Sequence, residues 1–251
     1  MSKIQPILDF ILKHFPKCAY HGGGSTRIAL PEFELMPYDY IEYAKNELDK
    51  KTDESLINCI GHLKRAIDCE LDKFLFAINI NDLISRNNLG FEIKLKCIEQ
   101  TGMFSSKSLQ LLNTTRNKME HEYSVPRIKD LQVHYELCNS FILVIESYIS
   151  MLSTYGDPFE WYEEKPFNDE ELNNPVDIGL FIIFDQKIPQ ISFTIIDHIN
   201  NGEEKIVFQP TDKETIEDYL KALNIFFILC RNDTSMSDKQ ALKLFKVLNN
   251  A

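Results

Sequence analysis

The stretch DESLINCIGHLKRAIDCELDKFLFAI, residues 53–78, decides the fold of the first half of the chain. Its apolar residues recur at every third or fourth position, which is the stripe of an amphipathic helix of about seven turns. They are Leu56, Ile57, Ile60, Leu63, Ile67, Leu71, Phe74, Leu75 and Ile78. We predict a long helix that begins at Asp53 as its N-cap, with the charged residues of its other face, Glu70 and Lys73 among them, exposed to solvent.

Shorter apolar stripes of the same period lie on both sides of this helix. They predict helices over 4–15, 91–100, the run that ends near His121, and 130–152, the last capped by Asp130. We therefore expect residues 1–155 to form an all-α bundle of four or five helices.

A glycine-rich segment, His21-Gly22-Gly23-Gly24, interrupts the helical pattern near the start of the chain. It lacks the GxxxxGK[ST] spacing of a phosphate-binding loop, and the chain has no GxSxG nucleophile elbow to accompany an esterase oxyanion segment. We predict a flexible connector here.

Residues 156–175 differ in composition from the bundle. They contain one glycine, three prolines and seven acidic residues against one lysine, which is typical of a linker. Their aromatic residues, Phe159, Trp161, Tyr162 and Phe167, indicate that the segment packs on something, because disordered segments are usually poor in aromatics.

Beyond the linker the apolar period changes from helical to extended. Residues 176–184, 188–196 and 205–209 read as strands, and Asp212 and Ser237 are candidate N-caps of two further helices. The predicted fold is thus mainly α, with domains at 1–155 (helical bundle), 156–175 (acidic aromatic linker) and 176–251 (a small α+β unit of two or three antiparallel strands and two helices).

Composition narrows the class of protein. The chain has 251 residues, of which 44% are hydrophobic, and this suffices for sizeable cores. We find no run of about 18 apolar residues and no signal peptide at the amino terminus. We expect a cytoplasmic protein with no membrane partner.

The six cysteines are spread along the chain without a CxxC pair, so we predict buried free thiols rather than disulfides or a zinc ribbon. Cys59 and His62 have a spacing that could place two metal ligands on one helix face. Core packing is the favoured interpretation of both residues, and we predict no metal site.

The net charge of −11 argues against a surface that binds nucleic acid throughout. The charge is unevenly distributed. Residues 156–251 hold 9 basic and 18 acidic residues, net −9, whereas residues 83–129 hold 8 basic and 4 acidic residues, net +4.

Within this basic region lies the most functionally suggestive stretch, TRNKMEHEY, residues 115–123. On a helix, Arg116 and Glu120 share a face, as do Asn117 and His121, while Arg116 and His121 diverge by about 140°. Arginine presents a permanently charged fork that suits phosphate oxygens, and histidine transfers protons near neutral pH.

The pattern Arg116-Asn117-x-x-x-His121, at the end of a helix in an all-α bundle, resembles the RxxxxH motif of the HEPN superfamily (higher eukaryotes and prokaryotes nucleotide-binding domain). An asparagine after the arginine and a tyrosine two residues after the histidine are common in that family, and Asn117 and Tyr123 fit. The resemblance covers about residues 40–155.

The resemblance implies a metal-independent endoribonuclease without a cofactor, acting on RNA as a homodimer that brings two motifs into one cleft. It further implies a toxin or defence-system effector, with a possible antitoxin or regulatory partner protein. His121 would transfer protons and Arg116 would stabilise the phosphate. Asn117 would orient the substrate or His121, Glu120 would position Arg116, and Tyr123 would be a point of control by covalent nucleotide attachment.

Other interpretations remain open at the level of sequence. The stretch could be simply a charged surface turn at the end of a helix, or the chain could be a noncatalytic HEPN-like nucleotide-binding or protein-interaction module. Arg127 and His134 also match a loose arginine-to-histidine spacing, but they lack the neighbouring asparagine and straddle the predicted cap at Asp130.

Overall fold

The structure, a computed structural model, describes residues 3–81, 83, 90–104, 107–163, 176–200 and 202–250. Its elements in chain order are α1 (Gln5–His14), β1 (Cys18–Gly23), α2 (Pro37–Lys50), α3 (Asp53–Ala77), α4 (Phe91–Gln100), α5 (Lys107–Glu122), α6 (Ile128–Tyr155), β2 (Phe159–Glu163), β3 (Ile178–Asp185), β4 (Gln190–Asp197), β5 (Gly202–Phe208), α7 (Lys213–Thr234) and α8 (Asp238–Asn249).

The chain forms two compact units. Unit 1 comprises Met1–Ile28 and Ser150–Ala251, and unit 2 comprises Ala29–Ile149. The structure therefore divides the chain differently from the predicted domains 1–155, 156–175 and 176–251. The physical reason is strand pairing, because β1 lies beside β2 and brings the amino-terminal residues into the sheet unit.

Unit 1 is built on a five-stranded antiparallel sheet of order β1-β2-β3-β4-β5. Burial alternates along β3 and β4, so that one face supplies Leu180, Ile182, Phe193 and Ile195 to the core. Helices α1 and α7 pack against the sheet, and α8 packs against both helices. The largest side chains enclosed in this unit are Trp161, Tyr219, Phe159, Phe193, Phe226, Phe227 and Phe245.

The mixed helical and sheet composition agrees with the prediction, but the predicted number of strands was wrong. Five strands are present instead of two or three. The three predicted strands correspond to β3, β4 and β5, and the two missed strands are β1 and β2. The sequence Asn200-Asn201-Gly202 predicts a turn between the last two strands, and residue 201 of it lies outside the described residues.

The glycine-rich segment is not a flexible connector. Residues as far as Gly23 belong to β1, which pairs with β2. A Cβ added at Gly23 or at Gly24 would overlap the backbone carbonyl oxygen of Pro158 or Asp157. The glycines thus allow two backbone segments to approach closely.

The predicted linker 156–175 is partly a strand. Phe159 and Trp161 are buried in the core of unit 1, as the aromatic content of the segment had indicated. The remaining predicted linker residues, 164–175, lie outside the described part of the chain.

Unit 2 is helical, and it contains α2, α3, α4, α5 and α6 up to Ile149. Helix α2 was not identified from the sequence, and it packs along α3. The N-cap of α3 is Thr52 rather than Asp53, because the Thr52 hydroxyl accepts a hydrogen bond from the Ser55 amide at 3.2 Å.

Helix α6 begins at Ile128, two residues before the predicted cap. Among the described helices it alone is long and apolar enough to cross a membrane by length and composition, contrary to the expectation of no such segment. A core helix passes the same test. Its buried apolar residues are Leu131, Cys138, Phe141, Ile142, Ile145, Tyr148, Ile149 and Leu152, whereas Val133 and Leu143 are 67% and 60% exposed.

Candidate functional site

Helix α5 places the Arg116–Tyr123 segment at the surface of unit 2. Leu109 is buried near the start of the helix, and the Thr115 hydroxyl oxygen lies 3.4 Å from Nε2 of the buried His134. The last turn carries Lys118, Glu120 and His121 into solvent. One side of α5 thus anchors it, while its carboxyl-terminal end is open to a ligand.

Arg116 is held against its own helix. Its Nη2 lies 2.5 Å from Oε1 of Glu120, and its Nη1 donates a hydrogen bond of 3.3 Å to Oδ1 of Asn117. The arginine side chain is 32% exposed. Surface ion pairs one helical turn apart contribute only about 0.3–0.5 kcal/mol, so a phosphate group could displace or share this partner.

His121 is exposed and makes no hydrogen bond or ion pair with the described residues. Asn117, one turn earlier on the same side of the helix, is also exposed. An imidazole without a partner keeps both ring nitrogens available for proton transfer. His121 and Arg116 therefore offer two different chemistries on two sides of α5.

Tyr123 ends the helix in an unusual backbone conformation. Its φ is +54°, and its side chain is 89% exposed. This left-handed position after a helix usually holds glycine or asparagine, because a bulky side chain crowds the backbone there. Local helix-ending preference therefore does not explain why tyrosine occupies this position.

The alternative pair, Arg127 and His134, is split between solvent and core. Arg127 forms two contacts with the Asp130 carboxylate, at 2.7 Å and 3.1 Å. His134 is buried; burial lowers its pKa, although the nearby Asp130 opposes this. The structure does not bring these two side chains into one accessible site.

Ion pairing reduces the basic character of the region around the motif. Of its basic residues, Lys94, Arg116 and Arg127 each pair with a carboxylate. Lys107, Lys118 and Lys129 are exposed, whereas Arg86 lies outside the described residues. The predicted local excess of positive charge is carried mainly by lysines.

A buried charged cluster in unit 2 was missed at the level of sequence. The predicted solvated face of α3 is wrong at Glu70 and Lys73, which are 0% and 6% exposed. Lys73 Nζ donates to Glu146 Oε1 at 2.7 Å and to Glu70 Oε2 at 3.3 Å, and Tyr38 donates to Glu146 Oε2 at 2.9 Å. The only sequence signal was a glutamate and a lysine three residues apart on one helix.

The environment of the cluster shifts the pKa values of Glu70 and Lys73. Burial raises the pKa of Glu70 to about 7, although Lys73 acts against the shift. Burial lowers the pKa of Lys73, but its bond to Glu146 and the charge of Glu70 outweigh burial and raise it. Because Glu70 Oε1 has no hydrogen-bond partner among the described residues, the proton has a high affinity for this carboxylate.

The cysteines and the candidate metal ligands Cys59 and His62 pack against other side chains of the protein. All six cysteines are free, and all except Cys69 are buried. His62 lies beside the rings of Tyr40 and Tyr43, with ring centroids 6.5 Å and 5.5 Å away. Within the described ranges no group of three His, Cys, Asp or Glu side chains could hold a metal ion.

Comparison with models of protein families, with curated proteins and with solved structures finds no match to this chain.

Proposed function

We propose that this protein is a metal-independent endoribonuclease of HEPN type that acts as a homodimer in the cytoplasm, as a toxin or defence-system effector. The strongest support comes from the bonding and exposure of Arg116 and His121, near the carboxyl end of α5. Arg116 is held by Glu120 and Asn117, while His121 is exposed and unbonded within the described chain.

The chemistry requires three events at one phosphodiester. A base removes the proton of the ribose 2′-hydroxyl, the 2′-oxygen attacks phosphorus, and the 5′-oxygen leaves with a proton from an acid. His121 is the proton-transfer residue in this scheme. Arg116 stabilises the additional negative charge on the crowded phosphate, with Asn117 orienting the substrate or His121.

The geometry of a single helix supports the proposed dimer. Because Arg116 and His121 project about 140° apart around α5, one motif supplies its two groups in different directions. A two-fold axis beside α5 would give a cleft with two arginines and two histidines, one histidine acting as base and the other as acid. Tyr123, close to this end, is then a natural position for control by a partner protein.

A noncatalytic nucleotide-binding or protein-interaction module is the alternative, and the Arg116–Glu120 ion pair favours it to the extent that it neutralises the arginine. Cleavage of RNA in the presence of EDTA separates the two functions. We expect Arg116→Ala and His121→Ala to abolish cleavage and to keep the helical circular dichroism of the wild type.

Arg127→Ala is the matched control, because it removes an exposed arginine that is ion-paired near the motif. Its activity is expected to equal that of the wild type. Equal RNA degradation by the wild type and by both motif variants would refute the nuclease and indicate a contaminating activity.

A further inference from the structure

The exposed face of α8 carries a row of lysines. Lys239, Lys243 and Lys246 are spaced by four and three residues and therefore lie along one side of the helix. Leu242 and Val247 flank the row, and Val247 is 59% exposed. Together with Asn250 these residues line an open surface depression of about 460 Å³.

The positive charge of this face is uncompensated. None of the three lysines forms an ion pair with a carboxylate of the described residues. Residues 239–250 contain no acidic residue, although the whole chain has a net charge of −11. A lysine row without counterions, in an acidic chain, is suited to a ligand that brings its own negative charge.

The opposite side of α8 fixes the orientation of the row. Ala241 and Phe245 are buried, and the ring of Phe245 lies 5.8 Å from that of Phe15 in α1. The apolar side of the helix is thus occupied by the core of unit 1. The apolar residues on the exposed side, such as Leu244 and Val247 at 37% and 59% exposed, are interrupted by lysines, whereas insertion into a lipid surface needs a continuous apolar face.

We propose that the lysine face of α8 binds the phosphate backbone of single-stranded RNA and serves as an accessory substrate-binding surface. The identity of the polyanion rests on the proposed ribonuclease function. Lysine contacts phosphate as a flexible point charge, so binding here is independent of base sequence. The apolar flanks at Leu242 and Val247 add contact area for the sugars and bases.

The test measures binding of a fluorescent 2′-O-methyl RNA strand, which lacks the nucleophilic hydroxyl, to the full chain over about 50–200 mM salt. The test variant is Lys239→Ala/Lys243→Ala/Lys246→Ala. The matched control, Lys3→Ala/Lys187→Ala/Lys205→Ala, removes the same charge from exposed positions elsewhere in unit 1. All substitutions on α8 favour helix, so its fold is preserved.

We expect the α8 variant to bind about 10- to 100-fold more weakly at 0.1 M salt. Its slope of log affinity against log salt should fall by about 2, because each phosphate contact on a single strand contributes about 0.7. The control variant should keep the wild-type slope. Equal slopes for the wild type and the α8 variant, equal losses in both variants, or binding only to anionic phosphatidylserine vesicles would each overturn the proposal.

The failure of this proposal is distinguishable from that of the nuclease. A wild type that binds through α8 yet never cleaves RNA refutes the nuclease alone. A wild type that cleaves RNA with an α8 variant of unchanged slope refutes the lysine face alone.

Discussion

Arg116 and Glu120 form an ion pair across one turn of α5, with Nη2 of the arginine 2.5 Å from Oε1 of the glutamate. The pair holds the guanidinium of Arg116 while leaving its side chain 32% exposed. Glu120 is therefore a positioning residue in the proposed reaction, acting through Arg116.

Replacement of Glu120 by glutamine should lower kcat for RNA cleavage by about tenfold, with a smaller change in KM, because a misplaced Arg116 loses contacts that matter most in the transition state. The free energy of unfolding should change by less than about 0.5 kcal/mol, as expected for a surface pair. Steady-state kinetics with a defined oligoribonucleotide measure kcat and KM separately. An unchanged kcat would show that Glu120 does not position the arginine.

Replacement of Tyr123 by glycine should raise the free energy of unfolding of unit 2 by about 1 kcal/mol, since glycine relieves the crowding at φ +54°. Tyr123→Ala, which keeps a Cβ, is the control and should show no such gain. Chemical denaturation followed by circular dichroism measures the difference. A loss of stability in the glycine variant would mean that the tyrosine side chain makes stabilising contacts.

The contribution of Glu70 to the stability of the wild type should fall as the pH rises from about 4.5 to about 7. Burial raises the pKa of Glu70 to about 7 in the folded state, compared with an ordinary value of 4.5. The folded state therefore holds the proton more tightly, and the stabilising contribution is complete below pH 4.5 and lost as the pH rises through 7.

Glu70→Gln should remove this contribution, so that its profile differs from that of the wild type between about pH 4.5 and 7, since glutamine has no proton to lose. Glu47→Gln removes a glutamate from a surface pair with Lys50 and serves as the control. Urea midpoints across this pH range test the prediction. A Glu70→Gln profile parallel to that of the wild type would contradict it.

Alanine at Gly24 should destabilise unit 1 by more than about 2 kcal/mol, because its Cβ would overlap the Asp157 carbonyl oxygen. Gly61→Ala, inside α3, is the matched control. Its Cβ would meet only the flexible end of Arg65 at 3.4 Å, and helix propensity favours alanine by about 1 kcal/mol. Thermal denaturation of the two variants gives the comparison, and equal melting temperatures would contradict the close-approach role of Gly24.

The elements that were predictable from sequence have a strong local pattern. The stripe of residues 53–78 gives α3, and the alternation of residues 188–196 gives β4. Strands β1 and β2 have a weak local signal, because glycines and acidic residues dominate their neighbourhoods. Their pairing joins Cys18 to Glu163, which is a contact between positions far apart in sequence.

The features of the candidate site also divide into those that the sequence predicts and those that it does not. The i, i+4 relation of Arg116 and Glu120 follows from helix geometry and is present in the structure. The burial of Glu70 and Lys73 depends on Glu146, in another helix, and no spacing within α3 reveals it. The left-handed conformation at Tyr123 was equally hidden, because tyrosine gives no signal for it.

The chemical groups at the ends of the RNA fragments distinguish the proposed metal-independent cleavage by His121 from other nuclease activities. The wild type and His121→Ala are incubated in EDTA with an oligoribonucleotide of defined sequence, and the fragments are analysed by mass spectrometry. We expect wild-type fragments with 2′,3′-cyclic phosphate and 5′-hydroxyl ends, and an intact strand with His121→Ala. An intact strand with the wild type, 5′-phosphate ends, or the same fragments from His121→Ala would contradict it.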